Sequence, residues 1–168
     1  SCKTQLAAHE QNARTDPGSL QSLLDEYSYL LNNTFAADSF VESVRETCAP
    51  KIAEYQSLLQ SLHENEKTWR TRVGQIVENA RRLQTSAQFG EALQSVDRGL
   101  QALETTTTAW DGQAGINQLP ANVITDSVHR NLKDSLIKEG QVISGSAEKA
   151  WTETQKNAGE TLAQLSVS

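Results

Sequence analysis

The chain contains no methionine, not even at position 1. A start at Ser1 therefore reads as a processed N-terminus or as a fragment of something longer. Any signal or anchor is expected to have been removed. Nowhere does an apolar run approach the ~20 residues needed to span a bilayer, which excludes an inserted helix. Aromatic residues make up 5% and hydrophobic residues 37% of the 168 positions, little for one compact globule. That mixture suits amphipathic helices with one narrow apolar stripe each. Basic charge is scarce as well: 15 Lys and Arg against 21 Asp and Glu leave a net charge of -6. Phosphate binding needs clustered cations, so the balance argues against nucleic acid and anionic membranes as partners.

Catalytic vocabulary is missing too. There is no G-x-S-x-G, no glycine-rich phosphate loop and no C-x-x-C, and neither cysteine has a histidine near it in sequence. The chain reads as a non-enzyme with no cofactor. The three histidines are scattered. His63 precedes Glu66 by three residues and His129 follows Asp126 by three. Di-metal helical sites use Glu-x-x-His on two helices with further glutamates on others. One pair here has the wrong order and the other uses Asp, so exposed helix pairs are the expectation.

The two cysteines, Cys2 and Cys48, admit three readings: one disulfide, two cytosolic thiols, or a lipid-bearing Cys2. The last follows from S-C-K-T-Q, which resembles the start of a mature bacterial lipoprotein with its polar tether. Such a protein would be extracytoplasmic, either periplasmic or held at a membrane by lipid; the alternative is cytoplasmic. Asn32-Asn33-Thr34 is a glycosylation sequon at a plausible helix end.

What the sequence does have is helical periodicity. Residues 1–18 are polar and end in the turn signal T-D-P-G, which predicts a tether or a loosely packed short helix. Leu20, Leu23, Leu24, Tyr27, Leu30 and Leu31 then recur at threes and fours, with Asn32 and Asn33 closing the helix. Asp38 or Ser39 caps the next one, Ser39 and Glu42 having capping-box spacing, with Phe40, Val41, Val44 and Cys48 turned inward. Pro50 predicts a kink or break and suits the first turn of a new helix.

The strongest pattern follows. Ile52, Tyr55, Leu59, Leu62, Glu66, Trp69, Val73, Ile76, Ala80, Leu83 and Ala87 form an a/d seam, expected as a long coiled-coil-like helix over 51–87. Glu66 is the polar exception; a carboxylate on an apolar seam must be paired or solvated. The phase slips near Gln88 and Gly90, which favours a hairpin over one rod. It resumes as Phe89, Leu93, Val96, Leu100, Leu103, Thr107 and Trp110. Residues 111–120 lose periodicity and form the expected linker. Val123 to Ile137 predict another helix ended by Gly140, and a last helix runs from about Val142 through Trp151 to Leu165.

The expected fold is all-α: an antiparallel bundle of five or six helices. Its organisation would be a tether over 1–18, a hairpin bundle over 19–110, the linker 111–120 and a C-terminal helical pair over 121–168.

Two segments resemble known families. Residues 88–103, QFGEALQSVDRGLQAL, look like the second helix of a tetratricopeptide repeat, with Gly90, Ala92 and Leu93 near its small and apolar positions. No second copy stands at the 34-residue period and the usual proline is missing. Trp110-Asp111-Gly112 resembles the bend of WXG-type secreted helical hairpins, but no tyrosine follows on the C-terminal helix.

The expected function is protein–protein interaction, as an extracytoplasmic adaptor, assembly factor or inhibitor, with self-association open. Candidate partner contacts are Trp151, Trp110, Trp69 and Arg70, because tryptophan and arginine are enriched at interface hot spots. Trp69 and Trp110 stand on the seam, where the core-anchor reading comes before the partner contact. The alternatives are a helical sensor holding a small molecule near Glu66, Arg70 and Arg72, or a subunit of an intracellular coiled-coil complex.

Overall fold

The computed structural model describes residues 8, 10–11, 16–32, 38–110 and 118–167, with the side chains of 38–45 set aside. Among them the chain is all-helical, with four α-helices and no strand. A 3₁₀ turn over Pro17–Ser19 opens the first helix, α1 (Leu20–Asn32). It is built by the predicted T-D-P-G signal: the Asp16 carboxylate accepts from the Gly18 N–H at 3.0 Å and from the Ser19 hydroxyl at 3.1 Å. Then come α2 (Asp38–Thr85), α3 (Phe89–Glu104) and α4 (Asp126–Val167).

Two expected breaks do not occur. Pro50 lies inside α2 with its ring on the exposed face, where it removes one backbone hydrogen bond without ending the helix. Gly140 likewise lies inside α4, so the expected C-terminal pair is one helix. A Cβ on Gly140 would lie 3.5 Å from Val96 Cγ1, an ordinary contact, so the packing of α4 on α3 there does not depend on glycine. The turn between α2 and α3 is real, and it is not made by Gly90. Ala87 adopts φ 58°, the Gln88 N–H bonds the Leu83 carbonyl at 2.9 Å, and the Ala87 N–H bonds that of Gln84 at 3.0 Å. These two bonds are the Schellman closure of a helix end, with alanine in the left-handed position that usually holds glycine.

The helix expected to run through Thr107 to Trp110 stops at Glu104. Thr107 instead forms a parallel bridge with Val123: its N–H donates to Asn122 O at 3.0 Å and its carbonyl accepts from Ile124 N at 3.1 Å. Four β-branched threonines in a row weaken the helix, and this extended pairing satisfies the backbone of Thr107 instead.

The chain divides into two compact units, Ser1–Trp69 with Thr105–His129, and Arg70–Glu104 with Arg130–Ser168. In the first, Leu20, Leu23, Leu24 and Tyr27 of α1 pack with Tyr55, Leu58 and Leu62 of α2, joined by Trp110, Leu119 and Val123. The Tyr27 and Tyr55 rings stack with centroids 5.8 Å apart. Both phenols reach Glu10 Oε1, at 2.5 and 2.9 Å, and the Lys51 ammonium lies 3.3 Å from the same oxygen. The segment expected as a tether is thus tied to the core at Glu10. Burial raises the Glu10 pKa, but the hydrogen bonds from Tyr27 and Tyr55 and the charge of Lys51 outweigh it, leaving the carboxyl below its usual range. Burial, then the Glu10 carboxylate, raises both tyrosines well above theirs.

In the second unit, Gly99 of α3 sits between α2 and α4. A Cβ there would meet Ile76 Cδ1 at 3.1 Å and Leu136 Cδ1 at 3.2 Å, so the three helices touch where the side chain is absent. Val73, Ala80, Ala92, Val96, Leu103, Leu132, Leu136 and Ile143 are buried around it. Glu139, 7% exposed, is held by a two-pronged Arg81 contact at 3.1 and 3.2 Å. Such a fork suits a carboxylate that has lost most of its water.

Candidate functional site

One face of α2 carries most of the residues that stand out on the seam. Ser61, Asn65, Glu66 and Trp69 recur at helical spacing, and each engages the segment 119–125 of the first unit. The Ser61 hydroxyl accepts from the Leu119 N–H at 2.9 Å. The Asn65 amide donates to the carbonyls of Pro120 and Val123 at 2.8 and 3.1 Å. The Trp69 indole N–H donates to Ala121 O at 3.3 Å, and Glu66 Oε2 accepts from the Thr125 hydroxyl at 2.7 Å. A segment without helix or sheet must find partners for its backbone polar groups, and this row of side chains supplies them.

The arrangement corrects two candidate partner contacts. Trp69 is 8% exposed and Trp110 9%, so both are core anchors of the first unit. Glu66, considered as a ligand contact, is engaged by Thr125. Arg70, a candidate partner contact, and Arg72 are exposed on α2.

His63 lines a shallow groove with Leu24, Leu59 and Lys67, while Glu66 points into the core, so the two do not form a site together. His129 Nδ1 lies 2.9 Å from the Thr106 hydroxyl, beside a cleft of about 280 Å³ lined by Thr106, Thr107, Thr108, Ile124 and Asp126. Among the described residues no group of three or more His, Cys, Asp and Glu is arranged to hold a metal ion. No helix there is long and apolar enough to cross a membrane. Cys48 is buried at 4% exposure, whereas Cys2, its candidate disulfide partner and lipid site, lies outside the described residues. Asn32, the acceptor of the sequon, is the exposed last residue of α1, while Asn33, Thr34 and the Asp111-Gly112 bend lie outside the described residues, as do the side chains expected to face inward at Phe40, Val41 and Val44 and those of the Ser39–Glu42 capping box.

Trp151 is different. It is 64% exposed on α4, with Leu162 and Leu165 each 67% exposed further along the same helix. Every residue from 148 to 167 is exposed, although the backbone stays helical to Val167. Upstream, the buried face of α4 is marked by Leu136 and Ile143. At 3.6 residues per turn, Thr154, Ala158 and Leu165 fall within about 40° of Leu136, with Trp151 and Leu162 on one flank. The charged residues Glu148, Lys149, Glu153, Lys156 and Glu160 all fall about 100° or more away. The stripe that is packed in the first half of α4 therefore continues in phase, uncharged, onto solvent.

The sequence pattern foretold the amphipathic helix but not its exposure. The signal available was size: Leu132, Leu136 and Ile143 give way to Ala147, Ala150, Thr154 and Ala158, side chains too small to build a thick core. Comparison with known protein families, characterised proteins and solved structures finds no match for this chain.

Proposed function

We propose that this chain is a non-enzymatic helical interaction module whose docking surface is the uncharged face of α4 over residues 148–167. The observation that supports this reading is the in-phase continuation of a packed stripe onto solvent, with Trp151 exposed on its flank. Most helical stability in proteins comes from packing of an apolar face rather than from propensity. A 20-residue stretch that exposes Trp151, Leu162 and Leu165 together gains stability when that face is covered. Tryptophan anchors are frequent among the few residues that dominate binding energy.

A lipid surface is a poorer fit. Interfacial helices carry many Lys and Arg on the polar face, and here three glutamates accompany two lysines. A bulky apolar payload is also lacking, since Thr154 and Ala158 occupy the middle of the face.

Site-specific photo-crosslinking in the native cells tests the reading. A photoreactive residue at 151 or 158 is expected to yield discrete protein adducts, and one at 156, on the charged back, few or none. Equal yields from both faces, or none from either, would remove the docking surface.

A further inference from the structure

Resting on that reading, we infer that the partner covering residues 148–167 of α4 is the same segment of a second copy, lying antiparallel to it. Three observations carry this beyond a generic exposed face. The stripe is a continuation of the face of α4 that already packs against helices through Leu136 and Ile143, so its register for helix–helix contact is set. Its charges lie away from the contact except Glu148, at the edge beside Trp151 and Leu162, and an antiparallel pair puts the two Glu148 side chains at opposite ends, so like charges do not face each other. The distribution of bulk is self-complementary: Trp151 stands at one end, Leu162 and Leu165 at the other, with Thr154 and Ala158 between them.

An antiparallel pair lays the tryptophan end of each helix over the leucine end of the other, and the small side chains let the two backbones approach at the crossing. A parallel pair would set Trp151 on Trp151 and leave the centre unfilled. Antiparallel alignment also opposes the two helix dipoles favourably. The contact is isologous, the arrangement of a two-fold dimer, and it closes on itself rather than growing into a filament.

The face is small. Standard interfaces engage about 20–30 residues a side, and fewer than half of the 20 in this segment can face the partner. A dissociation constant on the order of 10 μM is therefore expected, corresponding to roughly 7 kcal/mol.

Sedimentation equilibrium of the purified full chain from about 1 to 200 μM reads this directly, spanning the affinity range expected of a weak interface. The wild type is expected to move from monomer to dimer across that range. Leu162→Glu, on the face, is expected to weaken dimerisation at least tenfold, and Lys156→Glu, on the back, to leave it within twofold. Both positions are solvent-exposed, and unchanged circular dichroism would show that the variants fold. Mixing Glu148→Cys and Ser166→Cys chains, both on the same edge of the face, in a Cys2→Ser background with a short bis-maleimide, is expected to give mixed adducts in excess of either like pair. A wild type monomeric at 200 μM, a dimer indifferent to Leu162→Glu, or an excess of like pairs would each overturn the inference. The two proposals fail separately: a monomer that still gives face-selective adducts with a different protein in cells keeps the docking surface and loses the second copy.

Discussion

The Thr125 hydroxyl donates to Glu66 Oε2 at 2.7 Å, across 59 residues of sequence. Glu66 is 5% exposed, and Thr125 directly precedes the first residue of α4. The same hydroxyl lies 3.4 Å from the Val128 N–H, so one side chain both answers the buried carboxylate and caps the helix.

Replacing Thr125 by Val removes the donor while keeping the shape, leaving a buried acceptor without its partner. The expected loss is roughly 1–3 kcal/mol in urea unfolding. Thr125→Ser, which keeps the hydroxyl, is expected to lose much less. Adding Glu66→Leu to Thr125→Val is expected to recover part of the deficit, because removing both polar partners costs less than stranding one. Equal midpoints for the Val and Ser variants would show that the pair contributes nothing.

Ala87 holds a left-handed backbone at φ 58° in the turn between α2 and α3. A Cβ in that conformation costs about 1–2 kcal/mol, so Ala87→Gly is expected to stabilise the chain by around 1 kcal/mol, offset in part by the greater freedom of glycine when unfolded. Ala87→Val is expected to destabilise it. Thermal unfolding of the two variants checks the sign, and a melting point lowered by glycine would contradict it.

Glu10 links the N-terminal segment to Tyr27, Tyr55 and Lys51. Its folded pKa is lowered from 4.5, so the unfolded chain holds the proton more tightly than the folded one. The stability it contributes is therefore present above the unfolded pKa and disappears as pH falls through the folded value. Wild type is expected to exceed Glu10→Gln in stability near neutral pH, with the gap closing below pH ~4. Chemical unfolding of both chains between pH 3 and 7 measures it; a constant gap would dismiss the linkage.

Periodicity carried the reading of the fold a long way for a physical reason. Helical spacing reports which side of a helix is apolar, and the seam from Tyr55 through Leu62, Trp69, Val73 and Ala80 is indeed buried. Leu58, fully buried, falls outside that seam because α1 and residues 119–123 crowd α2 from a second side. Local breakers misled where tertiary packing overrode them. Pro50 keeps its ring in solvent within α2, and Gly140 continues α4 rather than ending it. The end of α3 at Glu104 depended on a bridge between Thr107 and Val123, a long-range pairing that no local window contains.

At the candidate site, sequence singled out Trp151 together with Trp69 and Trp110 but could not rank them by exposure. Trp69 and Trp151 occupy apolar phases of their helices and Trp110 an apolar phase of the sequence pattern, and phase is blind to whether anything lies opposite. What separates Trp151 is that the helices covering α4 upstream do not cover residues 148–167. That is a property of helix length and turn position rather than of any residue.

Neither compact unit is an unbroken piece of chain, and this has a consequence for synthesis. Leu58 and Leu62 leave the ribosome well before Trp110, Leu119 and Val123, the residues that complete their core. Ser61 and Leu119 alone are separated by 58 positions. At translation rates of about 5–20 residues per second, the exposed half of that core waits roughly 3–12 seconds for its other half. Pausing translation between residues 70 and 104 is therefore expected to prolong the interval in which that apolar surface is uncovered.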